Sequence, residues 1–275
     1  VITPDQVWGA WDADVLTVGL LLAAAFLYLR GVERLWGRAG RGAVVAAWQV
    51  AAHLAGLLVV AIAVLSPLEA LAGTLLTAHM AQHLLLTLLA APLLALAAPA
   101  LPTLWGLPAS LRARTHRLRL PARWRGRLSA PWMPVAAAVV HVAVLWIWHL
   151  PGLYTAALSS APVHVGEHAM MLGSAVWLWS TMVSSGGPIR RATPVAALAM
   201  FLTATLSVGL GALLTFAPAA VYPVYEAGAA AWGTTALADQ QQAGAMMWSI
   251  SGVVHMAAGA TVFGVWLAAA HRRDG

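Results

Sequence analysis

At 275 residues, 61% hydrophobic and only 9% charged, the chain has too little polar surface for a water-soluble globular protein, which carries about 25% charged residues. It contains no cysteine, which excludes disulfides and thiolate metal sites and leaves histidine, methionine, carboxylate and backbone as possible ligands. All 15 cationic side chains are arginine, and without lysine there can be no retinal Schiff base.

A membrane span needs about 20 apolar helical residues. Seven such runs are predicted, near 14–30, 43–65, 70–98, 132–150, 162–184, 194–217 and 242–271. No recognisable signal-peptide pattern precedes the first, and no alternating segments suggest a transmembrane barrel. Glycine and proline mark the junctions, as in "SPLE" (66–69), "HLPGLY" (149–154), "SSGGP" (184–188) and "FAPAAVYP" (216–223). Pro92 falls inside the third run and predicts a bend one turn before it. The reading is a single all-α, seven-helix transmembrane domain over 1–275, with a basic interfacial loop at 100–131.

Arginine placement orients the bundle. Arg30, Arg34, Arg38 and Arg41 belong to the first loop, Arg112 to Arg127 to the third, Arg190 and Arg191 to the fifth, and Arg272 and Arg273 to the C-terminus. The N-terminus and even-numbered loops carry acids only: Asp5, Asp12, Asp14, Glu69, Glu226 and Asp239. The positive-inside rule then predicts an external N-terminus and a cytoplasmic C-terminus. The arginine-rich third loop is read as lying on the anionic inner leaflet rather than binding nucleic acid.

With that orientation, eight of ten histidines fall within the membrane or at its outer mouth. His79 and His83 lie roughly 13 and 20 Å into span three at 1.5 Å per residue. His149 ends span four, His164 and His168 open span five, and His255 lies about three turns beyond Met246 and Met247 in span seven. His53 and His141 are each read as hydrogen-bonded core residues. Histidines four apart share one helix face, so His79 with His83, and His164 with His168, can each offer two imidazoles to one volume. A His/Met set without cysteine suits copper better than calcium, magnesium or manganese.

"HVGEH" (164–168) also spells H-x-x-E-H, a zinc-peptidase pattern in which the glutamate activates metal-bound water. Here it opens a membrane span with no soluble domain to hold a peptide. Glu167 is therefore read as an acceptor orienting an imidazole, with Gln82 and Asp239 as further supporting residues.

Five stretches, "SPLEALAGTLLTAHMAQHLLLTLLAAPLLALAAP" (66–99), "WHLPGLYTAAL" (148–158), "HVGEHAMMLGSAVWLW" (164–179), "LGALLTFAPAAVYPVY" (210–225) and "DQQQAGAMMW" (239–248), resemble the Bacillus-type CtaG family of cytochrome c oxidase assembly factors. The likeness runs in the same order along nearly the whole chain. It implies a polytopic protein of the bacterial plasma membrane that helps deliver copper to a haem–copper oxidase. Carried over by position, the family's histidine motifs fall on His79, His83, His149, His164 and His168, and its last-span motif on Asp239, Gln240 and Met246–Trp248.

The expected function is a non-enzymatic copper-handling assembly factor. Its outer-half site would be drawn from His79, His83, His149, His164, His168 and His255, with Met246 or Met247 as a soft supplement. Copper would come from a periplasmic or extracellular donor and pass to an oxidase subunit, with no nucleic-acid partner. Retention should weaken as pH falls through the histidine range, because the ligands must be deprotonated. The alternatives are a bis-histidine haem protein that transfers electrons, with His83 and His255 as axial ligands, an intramembrane zinc peptidase, and a metal-free scaffold for oxidase subunits.

Overall fold

The computed structural model describes residues 1–12, 14–117, 130–182 and 193–274. Among these every regular element is helical. Helix α1 (Val15–Ala39) starts at Asp14, whose carboxylate accepts from the N–H groups of Leu16 at 3.3 Å and Thr17 at 2.8 Å. Hydrogen bonds from the Thr17 side chain and backbone hold the Asp14 carboxyl below its ordinary range. The helix runs nine residues past the predicted end at 30. Nothing between Arg30 and Ala39 breaks it, and it stops only at Gly40, where φ is 89°. Arg30, Arg34 and Arg38 are therefore helical rather than in a loop.

Helix α2 (Ala47–Leu65) leads into the short α3 (Pro67–Ala72), which is capped by Ser66 and has proline at its first position. The predicted third run thus divides. After a break at Gly73–Leu75 the span proper is α4, Leu76–Ala97. Its first N–H groups find their acceptor far along the chain: Asp239 takes Leu76 N–H at 2.6 Å and Thr77 N–H at 3.1 Å.

Pro92 acts by a different local geometry from a simple bend. Residues Leu85–Ala90 form a π-helical segment, in which Ala91 N–H donates to Leu86 O. The next carbonyl, Thr87 O, would need the N–H that Pro92 lacks. The indole of Trp179 supplies it at 3.0 Å.

Two short helices follow, α5 (Ala100–Gly106) and α6 (Ala109–Arg117), where an interfacial loop was expected. Helix α5 is locked against α1: a Cβ on Gly31 would lie 1.7 Å from Pro102 O, and one on Gly106 would lie 1.9 Å from Leu27 O. Arg34 donates to Trp105 O at 2.6 Å and Leu107 O at 2.9 Å, satisfying carbonyls at the end of α5. The arginine-rich stretch at 118–129 lies outside the described residues, as do 183–192.

Helix α7 (Met133–Trp148) bends by 74° into α8 (Pro151–Ser159), a helix not anticipated from "HLPGLY". Then come α9 (Ala161–Met182), α10 (Pro194–Thr215), the short α11 (Glu226–Ala231) and α12 (Ala236–Asp274). Helices α10 and α12 pack closely through Gly211 and Gly244, where a Cβ on Gly244 would lie 2.6 Å from Gly211 O. Among the described residues, five helices are long and apolar enough to cross a membrane: α1, α2, α4, α10 and α12. Helices α7 and α8 make a sixth if the bent pair is one span. The 22-residue α9 carries the H-x-x-E-H motif and falls outside that apolar set.

Candidate metal centre

Helices α4 and α9 each present two imidazoles one turn apart, and the two pairs face each other. The ring centroids of His79 and His83 are 4.5 Å apart, and those of His164 and His168 are 4.2 Å apart. Across the interface, His79 lies 5.5 Å from His164, and His83 lies 5.6 Å from His168. The sequence spacing required only that each pair share a face; their convergence is a property of the packing.

Glu167 stands between the pairs. Its carboxylate oxygens lie 3.7 Å from His79 Nε2 and 3.5 Å from His83 Nε2, and the two Nε2 atoms are 3.1 Å apart. One donor atom from each of His79, His83, Glu167 and His168 falls within 4.8 Å of every other. Tetrahedral ligands about 2.0–2.1 Å from an ion are roughly 3.3 Å from one another, and the 3.1, 3.5 and 3.7 Å separations among His79, His83 and Glu167 lie close to that value. Glu167 is wholly buried, and among the described residues neither of its oxygens has a hydrogen-bond donor. A buried carboxylate without donors is costly, and a bound cation would relieve that cost. Glu167 therefore sits among the candidate ligands rather than behind one of them.

A second group opens toward the surface. Glu69, from α3, lies 3.2 Å from His164 Nδ1, and with His168 these form another set within 4.8 Å. All three residues are partly buried, and they line a groove of about 710 Å³ whose rim includes Asp12 and Asp14. Burial opposes ionisation of Glu69, but hydrogen bonding and charge from the histidines, with the Gln82 amide, outweigh it and lower its carboxyl below the usual range. Gln82 also donates to Ala63 O at 2.7 Å and so anchors this acid against α2. His168 belongs to both groups.

Three tyrosines form the wall behind His79. Tyr225 donates to Ala72 O at 3.0 Å and lies 3.4 Å from His79 Nδ1, and Tyr154 OH is 2.9 Å from Tyr225 OH. Because the Tyr225 proton goes to Ala72, its oxygen accepts from His79 Nδ1–H, which leaves the His79 Nε2 lone pair directed at the cluster. Tyr222 donates to His149 O at 2.7 Å.

The remaining predicted residues lie elsewhere. His149 is near the cluster, its ring 6.1 Å from His83, but its Nε2 faces Met80 Sδ at 3.4 Å. Met247 and His255 line an adjoining cavity with His149, while Met246 packs at the edge of the apolar core. Asp239 touches no histidine and acts as the cap of α4. His53 stacks on Tyr28 at 3.8 Å between ring centroids, apart from the cluster. His141 is held by Ser174 Oγ at 3.0 Å and lines the adjoining cavity.

The model of the cytochrome c oxidase caa3 assembly factor family matches residues 26–269, nearly the whole chain. The chain belongs to that family. No curated protein and no solved structure matches it. For this assembly-factor family member, two contributors had gone unnoticed in the sequence, Glu69 and Tyr225. Both lie inside stretches that carry the family likeness, "SPLE" and "VYPVY", and that position was the available signal.

Proposed function

We propose that this assembly factor is a seven-span copper-handling protein of the bacterial plasma membrane, with α9 as the seventh span, an external N-terminus and a cytoplasmic C-terminus. Its cargo would be copper, received from a periplasmic or extracellular donor and passed to a haem–copper oxidase subunit. The observation that carries this reading is the buried set of His79, His83, Glu167 and His168, with donor atoms within 4.8 Å of one another. Three imidazoles and a carboxylate, with no thiolate, suit copper or zinc rather than the hard alkaline-earth ions. Of the two, copper suits a member of a cytochrome c oxidase assembly-factor family.

Transfer would proceed by ligand exchange. Glu69, His164 and His168 face the lateral groove and form a partly open receiving set. His168 is common to both sets, so an ion can gain His79, His83 and Glu167 before it releases Glu69 and His164. The Glu167 carboxylate offsets cationic charge at a buried position, where an unpaired ion is expensive.

The peptidase reading fits less well. In H-x-x-E-H enzymes the glutamate is free to activate water beside two ligating histidines. Here Glu167 faces the α4 imidazoles, and His164 pairs with Glu69. The deciding experiment is metal analysis of detergent-purified protein after copper loading. Wild type should retain copper, and a His79→Ala/His83→Ala variant of unchanged elution and helicity should retain far less. Equal loading of the two, or a wild type that stays copper-free, defeats the proposal.

A further inference from the structure

Beside the carboxylate-containing cluster lies a cavity of about 20 Å³ between α4, α7, α10 and α12, lined among others by Met80, His83, His141, His149, Met247 and His255. Among the described residues no carboxylate and no arginine lines it. All six of these side chains are buried.

The hydrogen bonds fix how three of the imidazoles present themselves. His149 Nδ1 lies 2.7 Å from Leu145 O, a carbonyl that can only accept, so Nδ1 carries the proton. His255 Nδ1 lies 2.9 Å from Ser251 O and is protonated for the same reason. His141 Nδ1 lies 3.0 Å from Ser174 Oγ, whose own proton goes to Met171 O at 3.1 Å, so His141 Nδ1 donates as well. In the neutral state each ring is therefore left with an unprotonated Nε2, the arrangement in which a second-shell carbonyl or hydroxyl prepares a histidine as a ligand.

The lone pairs of His149 and His255 lack donors among the described residues. His149 Nε2 faces Met80 Sδ at 3.4 Å, and a thioether has no proton to give, so two acceptors oppose each other. His255 Nε2 and His83 Nδ1 are buried with no hydrogen-bond partner among the described residues. A nitrogen at about 2.0 Å and a sulfur at about 2.3 Å from one tetrahedral ion are roughly 3.5 Å apart, which matches the His149–Met80 separation.

We infer that this cavity is a second metal site, taking a soft monovalent cation of the copper(I) or silver(I) type on the thioethers of Met80 and Met247 and the imidazoles of His149 and His255. Thioether and imidazole ligands select soft ions. The absence of any anion selects low charge, because the cost of burying an ion rises with the square of its charge. His83 lines this cavity and also belongs to the outer set, so the inference rests on the copper reading above and makes the protein a two-station conduit. The competing occupant is a single water, which a cavity of this size also admits.

The test loads the full chain in detergent, under reducing conditions, with copper(I) and separately with silver(I). It reads ions per chain by mass spectrometry and the coordination shell by X-ray absorption. Wild type should hold two ions, with sulfur scattering at about 2.3 Å. Met80→Leu/Met247→Leu, which conserves volume, should lose one ion and the whole sulfur shell. His79→Ala/Glu167→Gln should lose the other ion and keep the sulfur. Should the double methionine variant fail to fold, Met80→Leu alone should halve the sulfur amplitude. A wild type holding one ion with only nitrogen and oxygen neighbours overturns the second site in favour of water and leaves the outer one standing. Two ions that both survive Met80→Leu/Met247→Leu also overturn it. A wild type that binds no ion overturns both sites.

Discussion

Asp239 offers a direct measure of how the last helix holds the span that carries His79 and His83. Its carboxylate accepts Leu76 N–H at 2.6 Å, Thr77 N–H at 3.1 Å and the Thr77 hydroxyl at 2.5 Å, and the residue is buried. Asp239→Ala strips the acceptor from two N–H groups at the start of α4, in a place where water cannot easily substitute. Hydrogen bonds to a charged group contribute about 1.5–3 kcal/mol each, so the backbone pair alone predicts a loss of about 3–6 kcal/mol. At about 2–4 °C per kcal/mol for a chain of this size, the unfolding midpoint should fall on the order of 10 °C. Asp239→Asn keeps one acceptor oxygen and should lose about half of that, and Thr77→Val about 1 kcal/mol. The assay is thermal unfolding in detergent, followed by intrinsic tryptophan fluorescence. An Asp239→Ala midpoint within about 2 °C of wild type refutes the idea that this carboxylate anchors α4.

Tyr225→Phe removes the oxygen that orients His79 and should weaken copper binding about 10- to 100-fold in a chelator-competition titration. Tyr28→Phe, whose hydroxyl bonds Ala97 O away from the cluster, should leave affinity unchanged. Gly31→Ala places a Cβ 1.7 Å from Pro102 O and should cost at least about 1–3 kcal/mol by overpacking, read as a lowered unfolding midpoint. Gly19→Ala, with nothing within 4 Å, serves as its neutral control. Trp179→Phe leaves Thr87 O without its donor and should destabilise by about 1 kcal/mol, detectable as a midpoint shift of a few degrees.

Apolar runs and their glycine and proline breaks located the middles of the long helices, because a span must be both long and apolar. Their ends were set by local chemistry that hydropathy does not register. Arginines extend α1 as well as any helix former up to Gly40, and Ser66 with Pro67 opens a separate helix inside what read as one run. At the site, the spacing of His79 with His83 and of His164 with His168 fixed two faces, and the packing of α4 on α9 joined them. Counting residues gives depth along a helix axis but not direction around it. His149, Met247 and His255 were therefore grouped with the outer histidines, although they line the neighbouring cavity. Glu69 acts from the six-residue α3 and Tyr225 from the short 3-10 helix Pro223–Tyr225, both too short for periodicity to announce a role. Asp239 was noticed, but its partners lie more than 160 residues away.

The π-helical segment Leu85–Ala90 has a bearing on how this protein tolerates change. It holds one residue more per hydrogen-bonded ring than an α-helix, and each residue advances the chain by about 100° around the axis. In a π turn the extra residue widens the ring instead of adding its full angular step, so deleting one residue there would let the helix regularise while the Ala91 and Ala95 face and the imidazoles upstream both keep their neighbours. The segment thus lets α4 absorb a one-residue change in length without re-fitting either its histidine half or its alanine half to the bundle.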